Sequence, residues 1–212
     1  MRIDDEAVLW SASASDRAGR PLLVLLHGYN SHEGDLFGLA PYLPLAPAIA
    51  SLRAPIDAGY GYAWFPLPDQ VEDVSVDSAD LATTAIVEWL DRVAPDTTSV
   101  GLLGFSQGGA MALELLRRAP ERFAFAVALA GFALPGVREG DERMQQLAPP
   151  VFWGRGTDDE VIPAAAVART QEWLPEHADL DARIYEGLGH SVSERELADV
   201  TAFLQAQYAP AG

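Results

Sequence analysis

The chain has 212 residues, of which 49% are hydrophobic and 21% charged, with 18 Gly and 15 Pro. This is ordinary globular composition, and it excludes collagenous, low-complexity and disordered classes. With 31 acidic and 14 basic residues the formal net charge is -17, so the surface repels phosphate backbones and we expect no nucleic-acid partner. The absence of cysteine excludes disulfides, cysteine metal sites and cysteine nucleophiles.

The sequence also argues against an integral membrane protein. Two long uncharged stretches, residues 36–52 and 123–137, are interrupted by proline and glycine and fall short of the roughly 20 apolar residues that span a bilayer. The N-terminus carries acids where a signal peptide needs a basic start and an apolar run. We therefore predict a cytoplasmic protein without integral membrane association.

Short apolar runs predict six strands along the chain. The first closes with His27 and Gly28, and all six are typical of strands buried on both faces, as in a parallel sheet. The runs are residues 21–26, 48–52, 99–104, 123–130, 151–154 and 182–185.

Helical patterns separate these strands. Apolar residues recur at helical spacing in residues 79–93 and 193–208, and Ser193 and Glu196 have the spacing of a capping box at the start of the second. Pro163 is suited to the first helical position before residues 164–174. The alternation predicts an α/β fold with a mostly parallel sheet and helices on both faces. With no internal boundary visible, we predict one domain, residues 1–212.

The best candidate for a nucleophile is Ser106, in the sequence Gly-Phe-Ser-Gln-Gly of residues 104–108. This G-x-S-x-G pattern follows a predicted strand and precedes a predicted helix, which is the setting that a nucleophilic serine requires. The alternative is a glycine-rich turn with a serine that merely caps a helix. The same turn directs the helix N-terminus and the Gln107 amide toward a developing oxyanion.

A serine nucleophile needs a base, and an imidazole is the usual one because its ordinary pKa lies near about 6.5. The sequence has four histidines. His190 lies in a glycine-rich loop between the last strand and the last helix, so it can converge with Ser106 at the C-terminal edge of the sheet. His27 and His32 flank the end of the first strand, and His177 lies in a polar stretch typical of an exposed histidine.

A third group should orient the imidazole. Three adjacent acids, Asp158, Asp159 and Glu160, follow the strand at 151–154, and the residues alone do not select among them. With any of these the order along the chain is Ser, acid, His, which is that of α/β-hydrolases.

The oxyanion hole needs a second backbone donor from the loop after an early strand. The loop His27-Gly28-Tyr29-Asn30 supplies the Tyr29 amide. Gly28 permits a close approach there, and we expect His27 to hold the loop rather than to act in catalysis.

Five segments, taken together, resemble the phospholipase/carboxylesterase family of α/β-hydrolases, which includes acyl-protein thioesterases. They lie in family order between Leu26 and Leu204, and they are LHGYNSHEGDLFGLAPYLP, SLRAPIDAGYGYAWFPL, GLLGFSQGGAMAL, VFWGRGTDDEVIP and YEGLGHSVSERELADVTAFL. The resemblance implies a catalytic triad of Ser106, His190 and Asp159. It selects Asp159 because the family's acid stands two residues before the V-x-P step. It also implies the Tyr29 and Gln107 amides as the oxyanion hole.

The segment Ala63-Trp64-Phe65-Pro66-Leu67 resembles the family loop that lines the acyl pocket. The resemblance implies substrate binding by Trp64, Phe65 and Leu67, and two large aromatics would make an apolar wall. The alternative is that Trp64 and Phe65 fill the core. Two positions depart from the family pattern: Arg155 stands where members often have a histidine, and Pro66 where thioesterase-type members usually carry an acid.

These features predict a serine carboxylesterase that hydrolyses short-to-medium acyl esters through an acyl-enzyme, with no metal and no cofactor. Its partner is a small acyl ester, and a homodimer is left open. The alternatives are a lysophospholipase or acyl-protein thioesterase acting on longer chains, and a catalytically silent binding protein. The 131–150 segment is too short for a separate cap domain. We therefore expect open access, controlled by the long 54–78 segment and by residues 134–147.

Overall fold

A central sheet of seven strands organises the protein. The computed structural model describes residues 1–67, 76–95, 97 and 99–209. Within them the sheet has the strand order β1-β3-β2-β6-β7-β8-β9, and a separate hairpin pairs β4 with β5. The strands are β1 Leu9–Trp10, β2 Leu22–Leu26, β3 Ala48–Leu52, β4 Ile56–Asp57, β5 Tyr62–Ala63, β6 Val100–Phe105, β7 Phe125–Leu129, β8 Pro150–Gly156 and β9 Asp179–Tyr185.

All neighbouring strands of the large sheet run parallel except the edge strand β1, which is antiparallel to β3. Seven helices accompany them, and single 3-10 turns lie at Asp5–Ala7 and Ala40–Tyr42. The helices are α1 Ala14–Arg17, α2 Gly34–Phe37, α3 Val76–Val93, α4 Gln107–Arg118, α5 Asp141–Leu147, α6 Ala164–His177 and α7 Glu194–Gln207. None of the helices in the described ranges combines the length and the hydropathy needed to cross a membrane.

The sheet separates two apolar cores, as alternation along β2 illustrates. Leu22, Val24 and Leu26 pack into the core shared with α3, α4 and α6. Leu23 and Leu25 pack into the core shared with α7. Since side chains alternate between the faces of a strand, a strand with helices on both sides must be apolar at every position. The predicted α/β-hydrolase architecture, with helices on both faces, is confirmed.

The predictions for the first five runs are confirmed by β2, β3, β6, β7 and β8. The prediction for the sixth run was wrong in its burial, because β9 is an edge strand whose Ile184 is 53% exposed. The predicted helix start at Pro163 was one residue early, since α6 begins at Ala164 and Pro163 is its N-cap.

The segment between β7 and β8 contains one seven-residue helix, α5, and no cap domain. Its contacts lie at the C-terminal end of α4, where Arg117 donates to the carbonyls of Leu134 and Gly136 and to the carboxylate of Asp141. Eleven residues of helix place this end about 16 Å from Ser106. The expectation that residues 134–147 control access to Ser106 is therefore wrong. Of the 54–78 segment, residues 68–75 lie outside the described residues.

Candidate active site

Ser106 lies in the sharp turn between β6 and α4. Its backbone has φ 55° and ψ -118°, a conformation that non-glycine residues adopt only when the surrounding structure imposes it. The turn is held because the Ser106 N–H donates to the Leu129 carbonyl at 2.8 Å. The helix that follows packs directly on β2, since a Cβ at Gly108 would lie 1.8 Å from the Leu26 carbonyl oxygen. This strain raises the hydroxyl above the end of the sheet, as the G-x-S-x-G pattern predicts.

The structure brings Ser106, His190 and Asp159 into one hydrogen-bonded line. The Oγ of Ser106 lies 2.9 Å from Nε2 of His190, and Nδ1 of His190 lies 2.8 Å from Oδ2 of Asp159. With the proton on Nδ1, the imidazole donates to the carboxylate and accepts from the hydroxyl. The ring of Phe105 packs against that of His190, with centroids 4.8 Å apart, so the imidazole is held on its face as well as at both nitrogens.

The three adjacent acids have different surroundings. The side chain of Asp159 is 3% exposed, and its second oxygen accepts from the N–H groups of Val161 and Ile162 at 2.9 and 3.2 Å. Asp158 is exposed and accepts from the Thr157 hydroxyl, and Glu160 is exposed. The acid that contacts His190 is therefore Asp159, as the family resemblance implies.

The loops that carry the acid and the histidine are joined to each other. The Thr157 N–H donates to the Tyr185 carbonyl and the Asp158 N–H to the Leu188 carbonyl, both at 3.0 Å. The Gly187 N–H donates to the Thr157 hydroxyl at 2.8 Å. These bonds fix the separation of Asp159 and His190. The sequence does not predict these bonds, because backbone pairing between loops leaves no local pattern.

The two amides expected to form the oxyanion hole are available. Within the described part of the chain neither the Tyr29 N–H nor the Gln107 N–H has a hydrogen-bond partner. The side chain of Gln107 is bonded instead, since it accepts from the Trp64 N–H at 2.9 Å and donates to the Phe65 carbonyl at 2.7 Å. Asn30 adopts φ 58° directly after Tyr29, a conformation that asparagine tolerates better than most residues.

The loop of residues 27–30, which carries the Tyr29 amide, is also hydrogen-bonded to the β4–β5 hairpin. The Asn30 N–H donates to the Tyr62 carbonyl at 2.9 Å, and the Tyr62 N–H donates to the Ser31 carbonyl at 2.8 Å. The side-chain oxygen of Asn30 accepts from the Tyr60 N–H at 3.2 Å. The hairpin therefore fixes the backbone on the C-terminal side of the Tyr29 amide.

Comparison with known proteins agrees with this geometry. The profile of the phospholipase/carboxylesterase family matches residues 11–208, which is most of the chain. The chain belongs to this phospholipase/carboxylesterase family. It is a serine hydrolase of the carboxylesterase and thioesterase type.

Two relatives and one solved structure are similar to this chain along most of their length. Acyl-protein thioesterase 1 of Kluyveromyces lactis is 30% identical over 211 residues, covering 86% of this chain and 90% of the relative. Esterase YpfH of Escherichia coli is 26% identical over 196 residues, covering 86% and 81%. The crystal structure of esterase PE8 superposes with a TM-score of 0.79 at 26% identity, covering 97% of this chain and 99% of that one.

His27 holds the loop of residues 27–30 in place, as expected. Its ring is fully buried: Nε2 accepts from the Ala54 N–H at 3.1 Å and Nδ1 lies 2.7 Å from the Gly28 carbonyl. Burial lowers the pKa of His27, so the neutral ring that this bonding needs is favoured. A Cβ at Gly28 would lie 3.5 Å from that of Ser106, so the loop packs directly on the nucleophile.

The remaining histidines lie outside the catalytic arrangement. His32 accepts from the Gly34 N–H at 3.0 Å. His177 is half-buried rather than exposed as predicted, because its ring stacks on Trp173 with centroids 4.2 Å apart.

Trp64 and Phe65 do not line an open acyl pocket. Both side chains are 0% exposed, and the indole N–H of Trp64 donates to the His27 carbonyl at 2.8 Å. The alternative that these aromatics fill the core matches their burial, so the interpretation as an acyl-pocket wall needs correction. Of the three residues predicted to bind substrate, Leu67 alone presents surface, with 38% exposed.

The capping box at the start of α7 is half formed. The hydroxyl of Ser193 accepts from the Glu196 N–H at 3.1 Å. The carboxyl group of Glu196, however, is buried against Gly154, and neither of its oxygens has a hydrogen-bond partner among the described residues. Burial raises the pKa of Glu196 to about 7, because loss of water disfavours the charged form.

Proposed function

We propose that the protein hydrolyses short-to-medium acyl esters through a covalent acyl-enzyme. The proposal rests on the hydrogen bonds that link Asp159 to His190 and His190 to Ser106, at 2.8 and 2.9 Å. A serine hydroxyl is a weak nucleophile until a positioned base removes its proton, and this line supplies both the base and the group that orients it.

In the first half-reaction Ser106 Oγ attacks the ester carbonyl while Nε2 of His190 takes the hydroxyl proton. The carbonyl oxygen becomes an anion that accepts hydrogen bonds from the Tyr29 and Gln107 amides. When the tetrahedral intermediate collapses, the C–O bond to the alcohol breaks and His190 returns the proton to the leaving oxygen. Asp159 stabilises the imidazolium throughout and keeps its proton on Nδ1.

In the second half-reaction water replaces the alcohol. His190 takes a proton from the water, whose oxygen attacks the acyl carbon, and the same amides hold the oxyanion. Collapse breaks the bond to Ser106, which recovers its proton from His190 as the carboxylic acid is released. Leu67 would contact the acyl group. Residues 131–150 contain no cap domain that would shield a long chain from water, which favours short and medium acyl groups.

The direct test is Ser106→Ala, assayed with p-nitrophenyl butyrate. We expect kcat to fall by about 10⁴ to 10⁶-fold, because no other group can form the acyl-enzyme. A fluorophosphonate probe should label the wild type and not the variant. Ser191→Ala, which alters an exposed serine next to His190, is the matched control and should retain both labelling and turnover. Near-parental turnover by Ser106→Ala would reject Ser106 as the nucleophile. A wild type that is neither labelled nor active would reject the proposal in favour of a silent binding protein.

The second candidate is an acyl-protein thioesterase or lysophospholipase acting on longer chains. It is favoured by the 30% identity to acyl-protein thioesterase 1 of Kluyveromyces lactis. Comparing kcat/KM for butyryl and palmitoyl esters with the corresponding thioesters separates the two candidates. A cytoplasmic location and a homodimer stay predictions, and sedimentation equilibrium would test the latter.

A further inference from the structure

Almost all arginines of this protein contact a partner group within the protein. All 14 basic residues are arginines, and each lies in the described part of the chain. Every one but Arg155 contacts a carboxylate, a backbone carbonyl or an aromatic ring. The side chain of Arg155 has no hydrogen bond, ion pair or ring contact to any described residue. A half-buried arginine without a partner among the described residues sets Arg155 apart from the other thirteen, in a chain with 31 acidic residues.

Arg155 lies in the same row of the sheet as the nucleophile. Phe105, Leu129 and Gly154 are register partners on β6, β7 and β8. The next residues, Ser106, Ala130 and Arg155, continue that row, because the Ser106 N–H donates to the Leu129 carbonyl and the Ala130 N–H to the Gly154 carbonyl. Two strand spacings separate Ser106 from Arg155, about 10 Å between Cα atoms. The residue between them has only a methyl group.

The side of the sheet to which Arg155 belongs follows from its neighbours. A Cβ at Gly154 would contact Glu196 and Phe152, so position 154 faces α7. Side chains alternate along a strand, and Arg155 therefore faces the other side, where Trp153 packs in one apolar cluster with Ile162. The Arg155 side chain thus leaves the sheet on the side away from α7, four residues before Asp159 in the chain.

The acids closest in sequence do not neutralise Arg155. Asp159 is already bonded to His190 and to two backbone N–H groups, and Asp158 to the Thr157 hydroxyl. None of the acids in the described residues lies within ion-pair distance of Arg155. The N–H donors of its planar guanidinium therefore have no partner among the described residues, and their geometry matches that of a carboxylate.

We propose that Arg155 binds a carboxylate carried by the ester substrate, a few methylene groups from the scissile carbonyl. The inference rests on the proposed function and narrows its substrate class to half-esters of dicarboxylic acids or esters of hydroxy acids. The net charge of -17 disfavours anions at long range, whereas Arg155 provides a local positive charge within the row of the nucleophile.

Paired substrates test the proposal while keeping the reaction constant. Monoethyl glutarate carries the carboxylate on the acyl side, and ethyl pentanoate is its neutral counterpart. Acetoxybutyrate, the acetyl ester of 4-hydroxybutyrate, carries it on the alcohol side, and butyl acetate is its counterpart. Acid release is followed by pH-stat, and the readout is the ratio of kcat/KM for the charged ester to that for the neutral one.

We expect Arg155→Met to lower this ratio by about 10 to 100-fold, the loss of a charge-assisted bidentate pair. The substrate pair for which the ratio falls identifies whether the carboxylate lies on the acyl side or on the alcohol side of the ester. Arg155→Lys, which keeps the charge without the planar fork, should fall between the wild type and Arg155→Met. Arg183→Met is the matched control, because Arg183 is the register partner of Gly154 on β9 and is bonded to Asp181. It should leave the ratio unchanged.

A ratio that stays the same in Arg155→Met for both substrate pairs overturns the inference, as does an equal fall in Arg183→Met. Inhibition of the wild type gives a measurement that does not depend on a folded variant. Glutarate should inhibit hydrolysis of ethyl pentanoate competitively, and equal inhibition by neutral glutaramide would contradict the proposal. Fluorophosphonate labelling of Ser106 reports separately on the proposed esterase activity, so the two failures are distinguishable.

Discussion

At the N-terminal end of α4, Ser106 is strained at φ 55° and the Gln107 amide has no partner among the described residues. At the C-terminal end, Arg117 is 1% exposed and donates to Glu114 and to both oxygens of Asp141. At the first end, the strained serine and the unpaired amide are available to a charge that develops only during the proposed reaction. The second end places opposite charges in contact, because an unpaired charge buried there would be costly. One helix thus carries reactivity at one end and anchoring at the other.

The two adjacent acids near His190 test the reactive end of α4. Asp159→Asn should lower kcat/KM for p-nitrophenyl butyrate by about 10⁴-fold, because an amide no longer holds the Nδ1 proton of His190. Asp158→Asn is the matched control and should change kcat/KM by less than about threefold, since Asp158 is exposed and its side chain is bonded, among the described residues, only to the Thr157 hydroxyl. The reverse order would place the orienting acid at Asp158.

A second variant addresses the anchoring end. Arg117→Met leaves Glu114 and Asp141 buried without their main partner, and we expect the free energy of unfolding in urea to fall by about 3–5 kcal/mol. Arg143→Met removes the same charge from an exposed pair with Glu121, whose side chain is 68% exposed, and should cost about 0–1 kcal/mol. A large fall in kcat for Arg117→Met, measured where the variant is folded, would show that the two ends are not independent.

Glu196 is a buried group that has no hydrogen-bond partner for its carboxyl oxygens among the described residues and takes no part in the proposed reaction. Its titration can be compared with the behaviour of the reactive end of α4. Its pKa is about 7 in the folded protein against an ordinary 4.5, so the folded state holds the proton that the unfolded state has released. The free energy of unfolding should therefore fall as pH rises from about 4.5 to 7 and level off above that range. The full effect amounts to roughly 3 kcal/mol.

Glu196→Gln removes this titration. The variant should gain stability over the wild type as pH rises through the same window, measured by urea denaturation between pH 4.5 and 8. Glu194→Gln changes an exposed acid in the same turn and should show no such trend. A constant difference between Glu196→Gln and the wild type at every pH would contradict the expectation.

The strands that the sequence predicted are those whose burial follows from their own composition. Apolar runs identify β2 and β3 because both faces of these strands are covered, so every position is constrained. The edge strand β9 contains exposed charged residues such as Arg183, and an edge strand needs no apolar face of its own. The two-residue strand β1 carries no periodicity at all.

At the site, local motifs predicted Ser106 and His190, because a tight turn and a glycine-rich loop require particular residues. The choice between Asp158 and Asp159 depends on which carboxylate turns inward, and adjacent residues of one type carry no such signal. The core position of Trp64 depends on bonds to Gln107 and to the His27 carbonyl, which are distant in sequence. That the Arg155 side chain has no partner among the described residues is a property of the folded structure alone.

The β4–β5 hairpin has a consequence for the rate of the reaction. Tyr62 is bonded to Asn30 and Ser31 beside the Tyr29 amide, while Trp64 and Phe65 hold the side chain of Gln107. Both candidate oxyanion donors are therefore braced by a single stretch of four residues, so a small shift of residues 62–65 alters the two donors together. We expect a substitution in this stretch to change turnover through both donors, with Ser106, His190 and Asp159 left as they are.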